Sequence, residues 1–182
     1  MPKIAVIADS NCGIMPSEEE KYGIYILPMP VIIDGKTYCE GMDISLEEFY
    51  RRQSQGAVIS TSQPSPGDVT AMWDRLLETH DEIVFIPMSS GLSSTCQTSL
   101  LLAAEEPYKG KVFVVDDHRI SVTQAVAALE ARNLAKTGKS AAEIKEILEK
   151  EAMDATIYIA VDTLEYLKKG GRITAAAAAL GT

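Results

Sequence analysis

The chain contains few residues of the kinds that build metal centres or disulfide frameworks. Its 182 residues include two histidines and three cysteines. Cys12, Cys39 and Cys96 are scattered, with no CxxC spacing between them. Isolated thiols of this kind are typical of a reducing compartment. We therefore predict a cytoplasmic location, incidental cysteines and no metal site.

Long apolar runs and excess positive charge are also missing. No run approaches the roughly 20 apolar residues of a membrane span, and Met1-Pro2-Lys3 leads into a strand pattern instead of a secretory leader. Seventeen Lys and Arg residues against 26 Asp and Glu residues give a net charge of −9. Such a surface repels phosphate backbones. We expect neither stable membrane anchoring nor nucleic-acid binding.

Strand-like and helix-like segments alternate along the chain, and 46% hydrophobic residues suffice for a globular core. The strand-like segments span residues 3–8, 24–29, 82–88, 111–116 and 155–161. The helix-like segments span residues 45–55, 65–78, 95–105, 123–137 and 140–153. Repeated strand-helix units predict an α/β fold with a mainly parallel sheet flanked by helices.

Local signals mark one hairpin and several helix starts. Asp34-Gly35 lies between two short strand-like runs and predicts an antiparallel hairpin, with a small subdomain around it. Ser45 and Ser140 are each followed three residues later by glutamate, the spacing of a capping box. Ser17 precedes three glutamates and predicts a capped helical turn.

Two hydroxyl-rich turns each follow a strand-like run and precede a helix-like one. They read Thr61-Ser62-Gln63-Pro64-Ser65-Pro66 and Ser89-Ser90-Gly91-Leu92-Ser93-Ser94-Thr95. Such turns present hydroxyls and free backbone N–H groups where an anion can bind. The same residue types also serve as turn and N-cap residues for purely local reasons, and both interpretations stay open at this point.

Other functional classes have less support. An activated serine at Ser93 would need a base, the only histidines are His80 and His118, and no GxSxG elbow surrounds any serine. A nucleotide site would be expected to carry GxxxxGK[ST] or GxGxxG, and both are absent. Asp9 and Asp116 follow strands of the predicted parallel sheet, where sites form, yet either could cap a turn.

The last segment is unusual in composition. Lys168-Lys169-Gly170-Gly171-Arg172 is followed by alanines over residues 175–179. The alanines favour helix but offer little apolar surface. Arg172 alone could be a solvent-facing charge after a helix C-cap.

Taken together, these motifs resemble the N-terminal part of the DegV family, a group of bacterial fatty-acid-binding proteins. The resemblance rests on Asp9-Ser10, Pro28, Gly35, Tyr38, Gly41, the two hydroxyl turns, Asp116 and the string from Thr163 to Arg172. Two features depart from the family pattern: Ser94 stands where glycine is usual, and Asp117-His118-Arg119 lacks the usual serine.

The resemblance implies a two-lobed α/β fold that holds one long-chain fatty acid between its lobes. Thr61 and Ser93 fall at the carboxylate-contacting positions, with Ser62 and Ser94 beside them. Arg172, Asp9 and Ser10 are implied to join a headgroup network. The family has no cofactor and is not enzymatic alone, because it presents the fatty acid to a separate fatty acid kinase that makes acyl phosphate from ATP for phospholipid synthesis.

The resemblance also implies that residues 1–182 form the N-terminal portion of a DegV-like domain, with the second lobe incomplete. The family domain continues further and supplies more tunnel wall and a histidine near the carboxylate. We accordingly expect weak or no lipid binding by an isolated monomer, and an exposed apolar face that favours a homodimer. A truncated DegV-like protein without lipid binding is the alternative.

Overall fold

The computed structural model describes residues 2–174, which contain two sheets and seven α-helices. The strands are β1 (Ile4–Asp9), β2 (Tyr25–Leu27), β3 (Pro30–Ile33), β4 (Lys36–Cys39), β5 (Ile59–Thr61), β6 (Glu82–Ile86) and β7 (Val112–Val114). The helices are α1 (Glu19–Tyr22), α2 (Leu46–Ser54), α3 (Pro66–Leu77), α4 (Thr95–Ala103), α5 (Val122–Lys136), α6 (Ala141–Lys150) and α7 (Glu165–Lys169). Short 3-10 turns span Ser10–Cys12, Pro16–Glu18 and Ala152–Asp154.

The larger sheet is parallel, with the order β2-β1-β6-β7. Its central strands are apolar throughout because both faces are covered. Val6 and Val84 pack with residues of α5 and α6 on one face, whereas Ile7 and Phe85 pack with residues of α3 and α4 on the other. Trp73 of α3 is fully buried in the second layer. The predicted α/β fold with a helix-flanked parallel sheet is confirmed.

The smaller sheet is antiparallel, with the order β4-β3-β5. Asp34 and Gly35 connect β3 to β4 with φ angles of 50° and 80°. Two successive positive φ values match the twist of a tight hairpin, which explains the Asp-Gly sequence at this turn. The predicted hairpin is confirmed.

Two local predictions differ from the structure. The turn after Met15 begins at Pro16 and is closed by the Glu18 carboxylate, which accepts from the Met15 amide at 3.2 Å, so Ser17 caps nothing. Ser45 does accept from the Glu48 amide. The Glu48 carboxylate does not return to Ser45, because it accepts hydrogen bonds from two arginines of its own helix.

The predicted strand over residues 155–161 is wrong. These residues have no regular structure, and the Tyr158 side chain is 93% exposed. Residues with high β-propensity form a strand when their side chains pack against a neighbouring strand. Within residues 2–174 no strand pairs with this segment. The predicted alanine helix over residues 175–179 lies outside the described residues.

None of the helices in residues 2–174 is both long enough and apolar enough to cross a membrane.

Candidate ligand-binding site

The site forms where the direction of strand addition reverses in the parallel sheet. The chain passes from β1 to β2 on one side, whereas β6 and β7 are added on the other side of β1. Open parallel sheets leave a crevice beyond the carboxyl ends of their strands at such a point. The hydroxyl turn over residues 89–94 follows β6 at this edge.

A cleft of about 480 Å³ lies between three loop segments. Its lining consists of Thr61, Ser62, Gln63, Ser90, Gly91, Leu92, Ser93, Ser94, Gly170, Gly171 and Arg172. Both hydroxyl turns and the glycine-arginine segment therefore meet in one place, although they are distant in sequence. Among the residues from 2 to 174 that form this lining, Leu92 is the one large apolar residue.

The turn that carries Ser93 is held by its own hydrogen bonds. The amides of Leu92 and Ser93 donate to the Ser89 carbonyl at 2.9 and 3.2 Å. The Ser93 hydroxyl lies 2.8 Å from the Thr95 hydroxyl and accepts from the Thr95 amide at 3.2 Å. Ser93 thus fixes the start of α4 and also lines the cleft. The positive end of α4 lies beside the cleft, which favours an anion there.

The other hydroxyl turn leaves the small sheet. Thr61 ends β5 opposite Val31 of β3, and both Thr61 and Ser62 are exposed. Ser65 has a different role, since it accepts from the Asp68 amide at 3.1 Å and donates to the Asp68 carboxylate at 2.6 Å. Ser65 is the N-cap of α3 and does not line the cleft.

Arg172 brings a positive charge to the third side of the cleft. Its amide donates to the Leu167 carbonyl at 2.9 Å, which closes the end of α7, and Gly171 takes a φ of 74° in this turn. The guanidinium donates through Nη1 to the Gly170 carbonyl and is exposed to solvent. A guanidinium has five N–H donors, and within residues 2–174 this bond uses one of them, which leaves donors for a ligand.

Asp9 and Ser10 lie outside the cleft lining. The buried Asp9 carboxylate accepts from the Met88 amide at 2.7 Å, from Gln124 Nε2 at 3.1 Å and from the Asn11 amide at 3.1 Å. Burial raises the pKa of this carboxyl, and the same hydrogen bonds oppose the rise. Asp9 thereby ties the end of β1 to the residue that precedes the turn over residues 89–94.

Ser10 bonds to residues that flank the small sheet. Its hydroxyl donates to Glu40 Oε2 at 2.5 Å and accepts from the Met29 amide at 3.0 Å. The sequence pattern placed Asp9 and Ser10 at the correct edge of the sheet, but it does not reveal that their side chains bond inward to the protein.

One serine-histidine-aspartate group occurs near the cleft, but its geometry does not suit nucleophilic catalysis. Ser90 Oγ lies 3.5 Å from Nδ1 of His118, and Asp116 Oδ1 lies 3.4 Å from the same nitrogen. A catalytic triad uses one ring nitrogen for the serine and the other for the carboxylate. Ser93, the serine considered from sequence, contacts the Thr95 hydroxyl instead of a histidine.

Metal and thiol chemistry find no support in the residues that are described. Within residues 2–174 no group of histidine, cysteine and carboxylate side chains is arranged to hold a metal ion. Cys12, Cys39 and Cys96 are free thiols. Burial raises the pKa of Cys12 to about 11 and that of Cys96 to about 12. These two cysteines are therefore unreactive core residues.

Six residues of the lining had no role assigned from the sequence; three of them are glycines and the others are Gln63, Ser90 and Leu92. Gln63, Ser90 and Leu92 belong to the two turns that the sequence singles out, yet nothing in their residue types distinguished them. Gln63 Oε1 accepts a hydrogen bond from the Thr98 hydroxyl at 3.0 Å, a contact across 35 residues of sequence. Only the fold reveals this pairing.

The fold and cleft define an α/β protein with a parallel sheet, a small antiparallel sheet and a polar, anion-compatible cleft between the loops that leave them. The DegV family model matches residues 3–182, and the chain belongs to the DegV family. A DegV domain-containing protein from Caldanaerobacter subterraneus subsp. tengcongensis is 31% identical over 181 residues, covering 100% of this chain and 64% of that relative.

Solved structures agree with this assignment. A DegV family protein from Thermus thermophilus, described as binding fatty acid, superposes with a TM-score of 0.85 at 33% identity, over 99% of this chain and 64% of that one. DegV from Bacillus subtilis, described as a fatty acid binding protein, gives 0.82 at 27% identity, over 100% and 65%. The present chain thus spans slightly less than two thirds of these relatives.

Proposed function

We propose that this protein binds the carboxylate of a long-chain fatty acid in the hydroxyl-lined cleft. Thr61 and Ser93 are the principal donors, Ser62 and Ser94 flank them, and Arg172 contributes positive charge. The observation that carries the proposal is the convergence of both hydroxyl turns and Arg172 on a single cleft. Asp9 and Ser10 contribute to the headgroup network indirectly, through the hydrogen bonds by which they hold the neighbouring loops.

Physical chemistry favours this ligand at this place. A carboxylate removed from water must receive hydrogen bonds, because an unpaired buried charge is very costly. Hydroxyls, the start of α4 and a guanidinium are all suited to this task. Each buried CH₂ of an acyl chain contributes about 0.8 kcal/mol, so even a partly covered tail adds affinity.

The relatives support fatty acids as the ligand class, and the length of this chain bears on its affinity for them. Two solved DegV structures are described as fatty-acid-binding, and this chain covers 64% and 65% of their length. The part of the cleft lining that the structure describes offers Leu92 as its one large apolar contact. We therefore propose that the isolated chain binds acyl chains weakly, because a tail in an open half-tunnel stays partly hydrated.

We further propose that the bound acid is presented to a separate fatty acid kinase in the cytoplasm. Thr61, Ser62, Ser94 and Arg172 are exposed, so a headgroup held by them stays accessible to a second protein. The net charge of −9 favours a partner with a complementary positive surface. A pull-down with candidate acyl-phosphate-forming kinases, with and without added fatty acid, tests this step.

Native mass spectrometry of the protein purified from bacteria tests the ligand proposal, followed by extraction and identification of any lipid. We expect partial occupancy of the wild-type protein by a long-chain fatty acid, which rises when palmitate is added, and no occupancy of the Thr61→Ala/Ser93→Ala variant. Ser65→Ala is the matched control, since it removes a hydroxyl of the same turn that lies outside the cleft. A chain that is empty as purified and that also refuses added palmitate would contradict the proposal.

A further inference from the structure

The two hydroxyl turns belong to different sheets, so their separation depends on contacts between the sheets. Thr61 is the last residue of β5 in the small sheet, whereas Ser93 lies in the turn after β6 of the parallel sheet. Within the described residues, one hydrogen bond joins the two turn regions directly. It runs from the Thr98 hydroxyl to Gln63 Oε1 and measures 3.0 Å.

Thr98 is well placed to hold this bond. It lies one turn into α4, and its amide donates to the Ser94 carbonyl at 2.9 Å. Ser94 is the N-cap of α4 and lines the cleft beside Ser93. The Thr98 hydroxyl therefore moves as one unit with the turn that carries Ser93. Thr98 itself is half-buried, which limits competition from water.

The same bond determines which end of the Gln63 side chain is available. A glutamine amide has one acceptor oxygen and an NH₂ group with two donors. The Thr98 hydroxyl donates to Oε1, so Nε2 is the group available to a ligand. Nε2 has no hydrogen-bond partner among residues 2–174. Gln63 is half-buried and lines the cleft between the Thr61 and Ser93 turns. Its free donor is of the kind that a carboxylate needs.

We propose that Gln63 is a further headgroup ligand, which donates from Nε2 to the carboxylate, and that Thr98 is the positioning residue that orients it. The inference rests on the proposed function and deepens it. It also explains why a glutamine stands in a turn whose other polar residues carry hydroxyls. The Thr98 bond keeps the donor end of the amide toward the ligand and the two turns at a constant separation.

Four variants separate the two roles in calorimetric titrations with palmitate. Gln63→Met keeps the length of the side chain but removes both the donor and the acceptor for Thr98, and it should weaken binding about 10- to 100-fold. Gln63→Glu keeps the acceptor for Thr98 but replaces the donor by a repelling carboxylate, so it should bind at least as weakly. Thr98→Val should weaken binding a few-fold, and Thr98→Ser should restore wild-type affinity.

Thr70→Val is the matched control, because the Thr70 hydroxyl bonds to the Pro66 and Gly67 carbonyls of its own helix at 3.1 and 3.2 Å and does not line the cleft. It should leave palmitate affinity unchanged. Amide hydrogen exchange over residues 61–65 gives a second readout that needs no ligand. Thr98→Val should speed exchange there, whereas Thr98→Ser and Thr70→Val should not.

The outcomes distinguish this inference from the proposed function. Wild-type affinity in Gln63→Met, with palmitate still bound, overturns the ligand role of Gln63 while the cleft proposal stands. Equal affinity and equal exchange in Thr98→Val and wild type overturn the positioning role. If the wild-type chain binds no palmitate, the proposed function fails and the ligand role of Gln63 fails with it, and hydrogen exchange alone then decides the role of Thr98.

Discussion

At the scale of single residues, Asp117 shows how burial without full pairing creates pH dependence. Its carboxylate is 1% exposed; Oδ1 accepts from the Arg119 amide at 3.1 Å, but Oδ2 has no partner within residues 2–174. Burial raises the pKa of Asp117 to about 6, and the Arg119 amide and charge oppose the rise. The protonated form is therefore favoured by folding.

This shift predicts that Asp117 destabilises the protein as pH rises. The folded-state pKa lies above the unfolded value, so the folded state binds the proton more tightly between about pH 4 and pH 6, and the free energy of unfolding falls through that window. The loss approaches about 3 kcal/mol. Asp117→Asn should thus be more stable than wild type by roughly 1–3 kcal/mol at pH 7 and nearly equal at pH 4.

Urea unfolding at the two pH values measures this difference. Asp162→Asn is the control, since it neutralises an exposed carboxylate and should change the stability little at either pH. An Asp117→Asn variant with wild-type stability at both pH 4 and pH 7 would show that the buried carboxylate has no such effect.

At the scale of secondary-structure elements, the hydroxyls of one turn have separate functions. Ser65 forms a complete capping box with Asp68 at the start of α3, in which each residue satisfies an amide of the other. Thr61 and Ser62 of the same turn line the cleft. Ser65→Ala should therefore lower the free energy of unfolding by about 1 kcal/mol and leave palmitate affinity at its wild-type value.

Thermal unfolding and a palmitate titration on the same samples check both parts of this prediction. Ser65→Asp, which restores an N-cap acceptor, should recover most of the lost stability. A loss of affinity in Ser65→Ala that exceeds the loss in Thr61→Ala would assign Ser65 to the ligand instead of the helix.

Elements whose signals are local could be predicted from the sequence. The Asp34-Gly35 hairpin and the capping box at Ser140 depend on residues within a few positions, and both are present. Of the box predicted at Ser45, the bond from the Glu48 amide to the Ser45 hydroxyl forms. The segment over residues 155–161 has strong β-propensity but remains irregular, because a strand depends on a partner distant in sequence. Pairing information of that kind is not contained in the segment itself.

In the cleft, too, the sequence predicts which residues meet better than it predicts their side-chain contacts. Thr61, Ser62, Ser93, Ser94 and Arg172 line it together, as the motifs suggested. That convergence is geometric, and the roles of these residues in binding stay predictions. Asp9 and Ser10 occupy the expected edge of the sheet but bond inward. The direction of a side chain and a contact such as Gln63 to Thr98 are set by tertiary packing, which periodicity and motifs do not encode.

At the scale of the whole molecule, residues 155–161 form an exposed apolar segment. Tyr158, Ile159 and Val161 are 93%, 61% and 46% exposed, and the segment contains no charge. An uncharged stretch with high β-propensity and free backbone groups favours pairing with another chain. Pairing through this segment would stabilise the predicted homodimer, which stays untested. The net charge of −9 on each chain opposes this association.

Charges placed on this segment should reduce self-association without harming the fold. Tyr158→Lys/Ile159→Lys adds two positive charges at exposed positions, so little packing is lost and the unfolding midpoint should stay near the wild-type value. Sedimentation velocity over a range of concentrations should show association for wild type and a monomer for the variant. Leu101→Lys/Val122→Lys makes the same charge change at side chains that are 73% and 66% exposed elsewhere. If this control variant dissociates equally, the effect of the lysines is not specific to residues 155–161 and the segment has no special part in self-association.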